Sequence, residues 1–317
     1  MAFRIKTLEV EVIKGRHVLI DADVIAYLGS QGCDEMPLNA ALAKMRQRWE
    51  QVMTETQAET YTGHLTGKNN FRDKIATLQR YKGNRYDKDG NRIKPQPIWL
   101  QECRQELIQG YGCVLHTGQE ADDALGIESA LRNVSKLDTK EDFSTIISSI
   151  DKDLRINPGM HHNMTSGELE WVEPFGYLKV KEKVHHTTGK ITKKVHGCGL
   201  KFFYAQILMG DAADWIKGLP KVTDEMKATF PQIRRGGVGP MTAFQILDGA
   251  ETEEECHALV WFCYKSYWTE HSYKHWRTGK EYEAGIKTAK KQFIEQARLL
   301  WMRRKEGELW ESNFCLH

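Results

Sequence analysis

Four short apolar runs punctuate the first half of the chain: His17-Val18-Leu19-Ile20, Thr60-Tyr61-Thr62, Cys113-Val114-Leu115 and Ser144-Thr145-Ile146-Ile147-Ser148. Between them, residues 38–57 and 97–110 carry Leu, Met, Ile and Trp at helical spacing, and 121–132 opens with acids in its first turn, where the helix dipole favours them. Strand and helix in repetition specify an α/β fold with a parallel central sheet flanked by crossover helices. Clusters of acidic residues fall just after these strands, and in open parallel sheets the crevice beyond the carboxyl ends of the strands is where ligands bind.

Composition narrows the classes. Of 317 residues, 40% are apolar and 28% charged, which suits one large α/β domain with additions or two modest domains. No run of about 18 apolar residues is present to span a bilayer, and Met1-Ala2-Phe3-Arg4 lacks the apolar core of a secretion signal, so a cytoplasmic protein is expected, in a host cell if the chain is viral. The seven cysteines (Cys33, Cys103, Cys113, Cys198, Cys256, Cys263 and Cys315) include no C-x-x-C pair and read as reduced thiols. The net charge of +2 conceals segregation: residues 67–95 hold nine Lys or Arg against three Asp, whereas 117–126 holds three acids and no base. A basic surface and an acidic pocket are expected.

The expected organisation is an α/β core over 1–200, with a basic excursion about 64–96 and a β-hairpin about 177–197, followed by a helical region over 201–317. In the hairpin, Tyr177–Val184 and Lys190–Val195 flank His185-His186-Thr187-Thr188-Gly189, and the stretch 281–304 reads as one long helix.

Acids recur in four segments. Asp21 ends the first strand, and Glu120, Asp122 and Asp123 open the 121–132 helix. Asp151 and Asp153 follow the fourth strand and share a face if the chain stays extended, and Asp211 and Asp214 share one if their segment is helical. Two unit charges about 4 Å apart repel by roughly 4 kcal/mol at an effective dielectric of about 20. A divalent cation removes that objection, and all-oxygen ligands suit Mg²⁺ or Mn²⁺; two such ions can stabilise the attacking and leaving oxygens of a phosphodiester. The bland alternative is that these acids are helix caps and solvated charges.

At these residues the chain resembles the flap endonuclease or 5′-3′ exonuclease family, especially the stand-alone enzymes of tailed bacteriophages and the 5′ nuclease domain of bacterial DNA polymerase I. Ile20-Asp21 is similar to the family's first-strand aspartate, Glu120-Ala-Asp-Asp123 to its E-A-D-D segment and Ser149-Ile-Asp-Lys-Asp153 to its S-x-D-x-D. Met209-Gly-Asp-Ala-Ala-Asp-Trp-Ile-Lys-Gly218 resembles M-G-D-x-x-D-N-I-x-G, and Gly237-Val-Gly-Pro-Met-Thr-Ala243 resembles G-I-G-x-K-T-A. The five motifs keep the family order over roughly 17–247.

The resemblance implies a PIN-like 5′ nuclease core with two metal positions held by Asp21, Glu120, Asp122, Asp123, Asp151, Asp153, Asp211 and Asp214. It further implies a helical arch and a helix-three-turn-helix module in which Gly237, Val238, Gly239 and Thr242 meet duplex phosphates, with K⁺ often held at that turn. Phe71-Arg72 and Tyr81-Lys-Gly-Asn-Arg85 resemble the family's F-R and Y-K-x-N-R. On that likeness Lys82 and Arg85 act on the scissile phosphate, Arg72 contacts DNA and Tyr81 stacks on an unpaired base.

The chain also departs from the pattern. The family's second-strand aspartate has no counterpart in Tyr61–Lys68, where His64 stands near its place and Asp23 or Asp73 could compensate. Lys221–Arg235 is an insertion before the G-V-G turn, and Trp215 replaces the usual Asn after Asp214. His185, His186, His196 and Cys198 offer zinc-type donors at a spacing that fits no standard finger, and the Trp-rich stretch 258–276 reads as core. No Ser-His-Asp order and no P-loop appears.

The expected activity is therefore a magnesium- or manganese-dependent 5′-3′ exonuclease or flap endonuclease, acting on DNA with 5′ ends, flaps or nicks, with RNA–DNA hybrid also open, as a monomer in phage DNA replication, recombination or degradation. Two rivals stand beside it: a ribonuclease of related α/β architecture, and a structure-specific DNA-binding protein that has lost a metal site.

Overall fold

A computed structural model describes residues 11–135, 138–184, 187–189, 191–234 and 236–316. His185, His186 and Arg235 lie outside the described residues. The chain forms two compact units, the first comprising Met1–Lys68, Gln96–Asp151 and Gly159–Trp171, the second Asn69–Pro95, Lys152–Pro158 and Val172–His317. The division thus falls elsewhere than at residue 200: the basic excursion and the hairpin both belong to the second unit.

The first unit is built on β1 (Ile13–Asp21), whose Val18, Leu19 and Ile20 are wholly buried. Near-continuous apolarity of this kind is what a parallel strand covered on both faces requires. β1 pairs in parallel with β2 (Ala58–Thr66) and β4 (Thr145–Ser149); β2 pairs in parallel with β3 (Val114–His116), and β4 with β5 (Gly159–Asn163). With β6 (Leu169–Val172) the sheet order is β3-β2-β1-β4-β5-β6.

Four helices complete this unit: α1 (Ala22–Ser30), α2 (Leu38–Thr56), α4 (Leu100–Tyr111) and α5 (Ala121–Ser135). Val18 and Ile20 join a core with Ile25, Met45, Trp49 and Leu107 from α1, α2 and α4. On the opposite pleat, His17 faces α5, its Nε2 3.6 Å from Glu128 Oε1. The helix ends follow local chemistry: Asp21 accepts from Val24 N to cap α1, and Gly112, at φ +68, ends α4 in the left-handed conformation that glycine adopts without strain.

The second unit begins with the excursion 69–95, which holds α3 (Arg72–Ile75) and a 3₁₀ turn at Gly83–Arg85. The antiparallel hairpin β7 (Tyr177–Val184) and β8 (Ile191–Cys198) leads into α6 (Gly199–Met209), which is buried along nearly its whole length. α7 (Asp224–Thr229), α8 (Pro240–Leu247), α9 (Glu253–Trp268), the short pair β9 (Tyr273–Lys274) and β10 (Glu281–Tyr282), and α10 (Ile286–Leu300) complete it. Trp261, Tyr264, Tyr267 and Trp268 of α9 lie in this unit's core, as their sequence position suggested.

Residues 281–304 are not one helix. Glu281–Tyr282 pairs as β10, Gly285 at φ +143 precedes α10, and Trp301 leaves it extended. A glycine with so unusual a φ breaks a helix on its N-terminal side.

Candidate functional site

Because β1, β2, β3 and β4 run parallel, their carboxyl ends share one edge of the first unit's sheet. Asp21 closes β1 there, 4% exposed, and its Oδ2 accepts a 2.7 Å hydrogen bond from the Ser149 hydroxyl at the end of β4. The same oxygen of Ser149 accepts from Asp151 N at 3.0 Å, so one serine ties the two aspartates to the sheet edge. Burial, then the nearby charge of Asp23, and further that of Asp151 push the Asp21 carboxyl up to about 7, against the hydrogen bonds from Ser149 and Val24. Neither hydrogen-bond partner of Asp21 is a cation.

α5 brings further acids to the unit. Ala121 N donates to Thr66 Oγ1 at the end of β2, and Asp123 Oδ2 accepts from Glu120 N at 3.2 Å. Glu120 and Asp123 are buried, Asp122 half-buried and Asp151 exposed. Asp23 is committed elsewhere: it accepts from Thr66 N at 2.8 Å and pairs with Arg104.

His64 does not stand in for the missing second-strand aspartate. Its Nδ1 lies 2.9 Å from His116 Nε2 and its Nε2 3.0 Å from Glu128 Oε2, so the ring is turned beneath α5. The reason is the pleat: Thr62 and His64 point to the α5 side, where Glu128 receives both.

The second unit holds Asp153, Asp211 and Asp214. Asp153 is buried and accepts from Gln206 on α6, whereas Asp151 is exposed; the chain does not stay extended between them but enters a 3₁₀ turn at Asp153. Asp211 and Asp214 are not on a helix either. α6 stops at Met209, and Asp211–Ile216 closes into a turn bridged by Asp211 N to Ile216 O and Ile216 N to Asp211 O, at 2.8 and 2.7 Å. Asp211 Oδ1 accepts from Ala213 N and Asp214 N inside that turn, and its Oδ2 pairs with Lys152.

Asp214 gathers the basic loop. Its Oδ2 accepts from the Tyr81 hydroxyl at 2.6 Å, its Oδ1 lies 3.4 Å from both Lys82 Nζ and Arg85 NH2, and its carbonyl accepts from Lys82 N at 2.9 Å. Lys82 and Arg85 therefore meet at one carboxylate. The expected stacking role of Tyr81 is corrected: the ring is 4% exposed and joins the core. Arg72 is corrected too. At 0% exposed it donates from Nε to Leu299 O and from NH2 to Trp301 O, at 2.9 and 2.7 Å, so it meets the carbonyls that end α10.

The Gly237-Val-Gly-Pro240 turn precedes α8, with Gly239 as its N-cap, Pro240 at its first position and no side chain capping the helix start. Thr242 is buried, its hydroxyl donating to Gly237 O at 3.1 Å, and so it braces the turn from inside. A cavity of about 560 Å³ opens here, bordered by Lys193, Lys217 and Gly237–Thr242. Lys193 comes from β8, and the register places Lys179, Lys181, Lys194 and His196 on the hairpin's other face, with Glu182 on the Lys193 side.

Among the described residues, no three His, Cys, Asp or Glu side chains are drawn together closely enough to hold a metal ion as they stand. Asp21, Glu120, Asp122, Asp123 and Asp151 fall in the first unit and Asp153, Asp211 and Asp214 in the second. Cys198, among the zinc-type donors, is buried at the start of α6. A feature that motif reading missed is a Ser148–His162–Glu55 line, with 2.8 Å from Ser148 Oγ to His162 Nδ1 and 2.9 Å from Nε2 to Glu55 Oε2. Ser148 is fully buried, so the line braces β4, β5 and α2 and presents no nucleophile.

No family model and no curated protein matches the chain. Among solved structures, a flap endonuclease of bacteriophage T5 in a complex with DNA and metal ions aligns at 14% identity over 78% of this chain and 88% of its own, with a TM-score of 0.46. The T5 5′-exonuclease with bound zinc aligns at 16% identity over 78% and 89%, with a TM-score of 0.43. The catalytic core of Rad2 with a DNA substrate aligns at 13% identity over 68% and 62%, at 0.36. At such scores the chemistry rests on this chain's own residues. No helix among the described residues is long and apolar enough to cross a membrane.

Proposed function

We propose that the chain is a divalent-metal-dependent nuclease that hydrolyses DNA phosphodiesters, as a 5′-3′ exonuclease or flap endonuclease, with Mg²⁺ or Mn²⁺ as the cation. The observation that carries this is the sheet edge where buried Asp21, hydrogen-bonded to Ser149, is crowded by Asp23 and Asp151. A buried carboxylate with further acids close to it suits a hard cation with oxygen ligands. Asp21, Glu120, Asp122, Asp123 and Asp151 would hold one cation, and Asp153, Asp211 and Asp214 a second. A divalent cation, when bound, activates water and offsets charge on the phosphate.

The remaining work falls to the protein's own side chains. Lys82 and Arg85, gathered at Asp214, supply positive charge to a phosphate oxygen. The backbone at Gly237–Gly239 offers N–H groups to duplex phosphates without regard to base, and Lys193 and Lys217 add charge beside it.

A second reading, a DNA-binding protein without turnover, is favoured by one observation: Lys152 pairs with Asp211, and Lys82 and Arg85 with Asp214, so these acids already have cationic partners. 5′-labelled flap, nicked and blunt duplexes, incubated with Mg²⁺ or EDTA, separate the two. The nuclease reading expects Mg²⁺-dependent products that vanish in Asp151→Asn while binding persists. Binding without products at any divalent cation would leave the second reading.

A further inference from the structure

We propose that Trp215 is the stacking platform for an unpaired nucleobase of the substrate strand whose phosphate lies at Lys82 and Arg85, a role that rests on the nuclease reading. An exposed aromatic by itself is ordinary. Trp215 differs in three respects.

Its indole is 45% exposed although its backbone, at φ +59, occupies the left-handed region that bulky residues rarely adopt. A glycine or asparagine would hold that conformation with less strain. The turn that carries it is rigid: Asp211 and Ile216 bridge its ends, Asp211 Oδ1 binds its inner N–H groups, and Gln79 donates to the Trp215 carbonyl. Its neighbours are the cations of the basic loop. Trp215 follows Asp214, which gathers Lys82 and Arg85, and its Cδ1 would lie 3.3 Å from a Cβ added at Gly83, so the ring edge sits against glycine backbone.

A charged pair for a phosphate and an exposed ring on the neighbouring turn offer the two contacts that a nucleotide needs. Stacking on the ring needs no hydrogen-bond pattern, so it would accept any base. Tyr81, the aromatic of the same loop, cannot serve because its ring is in the core and its hydroxyl is bound to Asp214. A lysine or serine at 215 would leave the phosphate contacts and remove the base contact.

The test is a double-mutant cycle between the protein and the base. Trp215→Ala and Trp215→Phe are compared with the unmodified chain on 5′-flap DNA and on the same flap with abasic nucleotides beside the junction. Affinity is read by anisotropy in Ca²⁺, and KM and kcat in Mg²⁺. Trp215→Ala should weaken binding about ten- to a hundredfold on the base-bearing flap and little on the abasic one. Trp215→Phe should restore most of the loss, and the change should fall on KM more than on kcat. Equal losses on the two flaps, or no rescue by Phe, would overturn the stacking role. Should Trp215→Ala melt at a lower temperature, Trp215→Leu, which keeps an uncharged side chain without an aromatic ring, takes its place in the cycle with the same expectations. If the unmodified chain neither binds nor cuts any flap, the nuclease reading itself falls. If it does both, and Trp215→Ala matches it on both flaps, the stacking role alone falls.

Discussion

The Ser149 hydroxyl donates to Asp21 Oδ2 at 2.7 Å and accepts from Asp151 N at 3.0 Å, so the end of β4 fixes a buried carboxylate at the end of β1. That donation favours the charged form of Asp21 against burial and against Asp23. Ser149→Ala should therefore weaken Mg²⁺ or Mn²⁺ binding by roughly tenfold or more, since a hydrogen bond to a charged group contributes about 1.5–3 kcal/mol. Calorimetric titration of the metal-free protein measures it; unchanged affinity would exclude Asp21 from the metal centre.

Arg72 gives a test of structure against surface charge. Arg72→Met leaves the Leu299 and Trp301 carbonyls without their buried donor. A loss of roughly 2–5 kcal/mol is expected in urea unfolding, because each buried group left unpaired costs about 1–3 kcal/mol. DNA affinity of the folded fraction should stay the same. Weaker binding with an unchanged unfolding midpoint would return Arg72 to the DNA surface.

Glu128 supplies the pH dependence. Burial opposes its ionisation, but hydrogen bonds from His17, His64 and Arg132 outweigh it and hold the carboxyl far below the usual range. With the folded value depressed, its contribution to stability is present above the unfolded value of 4.5 and is lost as pH falls below it. Glu128→Gln should thus be less stable than the unmodified chain at pH 7, with the gap closing as pH is lowered below about 4.5. Melting temperatures across pH 3 to 8 would show it, and a gap that is constant with pH would refute it.

At the duplex anchor, Gly239 sits at φ −113 and ψ −174, an extended conformation open to any residue, and no atom lies within 4 Å of an added Cβ there or at Gly237. A valine at 239 therefore meets neither backbone strain nor a clash within the protein. The variant should melt like the unmodified chain and lose duplex affinity by at least tenfold, because only the incoming phosphate meets the new side chain. Anisotropy in Ca²⁺ at several salt concentrations should give an unchanged salt slope. Replacing Lys193 and Lys217, which border the cavity, by Ala should instead flatten that slope, by about 0.9 for each phosphate they neutralise. A melting point lowered in Gly239→Val would mean that the glycine serves the fold.

Strand polarity, the α/β class and the residues at the strand ends were legible in the sequence because they depend on local periodicity. The run His17–Ile20 could only be a covered strand, and an acid directly after it falls at the sheet's carboxyl edge wherever the chain goes next. The hairpin and the turn before α8 were legible for the same reason, through turn residues and a proline at the first helical position. What the tertiary structure decided was which polar side chains face inward. Arg72 and Tyr81 carry the same charge and hydroxyl whether they meet DNA or protein, and only α10 and Asp214, distant in sequence, take them out of solvent. His64 could replace an aspartate by position, yet the pleat of β2 turned it to Glu128. Asp214 was equally ambiguous: its spacing from Asp211 suited a helix, but the glycine at 210 ended α6 and folded the pair into a turn that meets the basic loop. Local sequence sets backbone conformation through sterics and short-range hydrogen bonds, whereas the partner of a buried charge is chosen by whichever remote group can repay its desolvation.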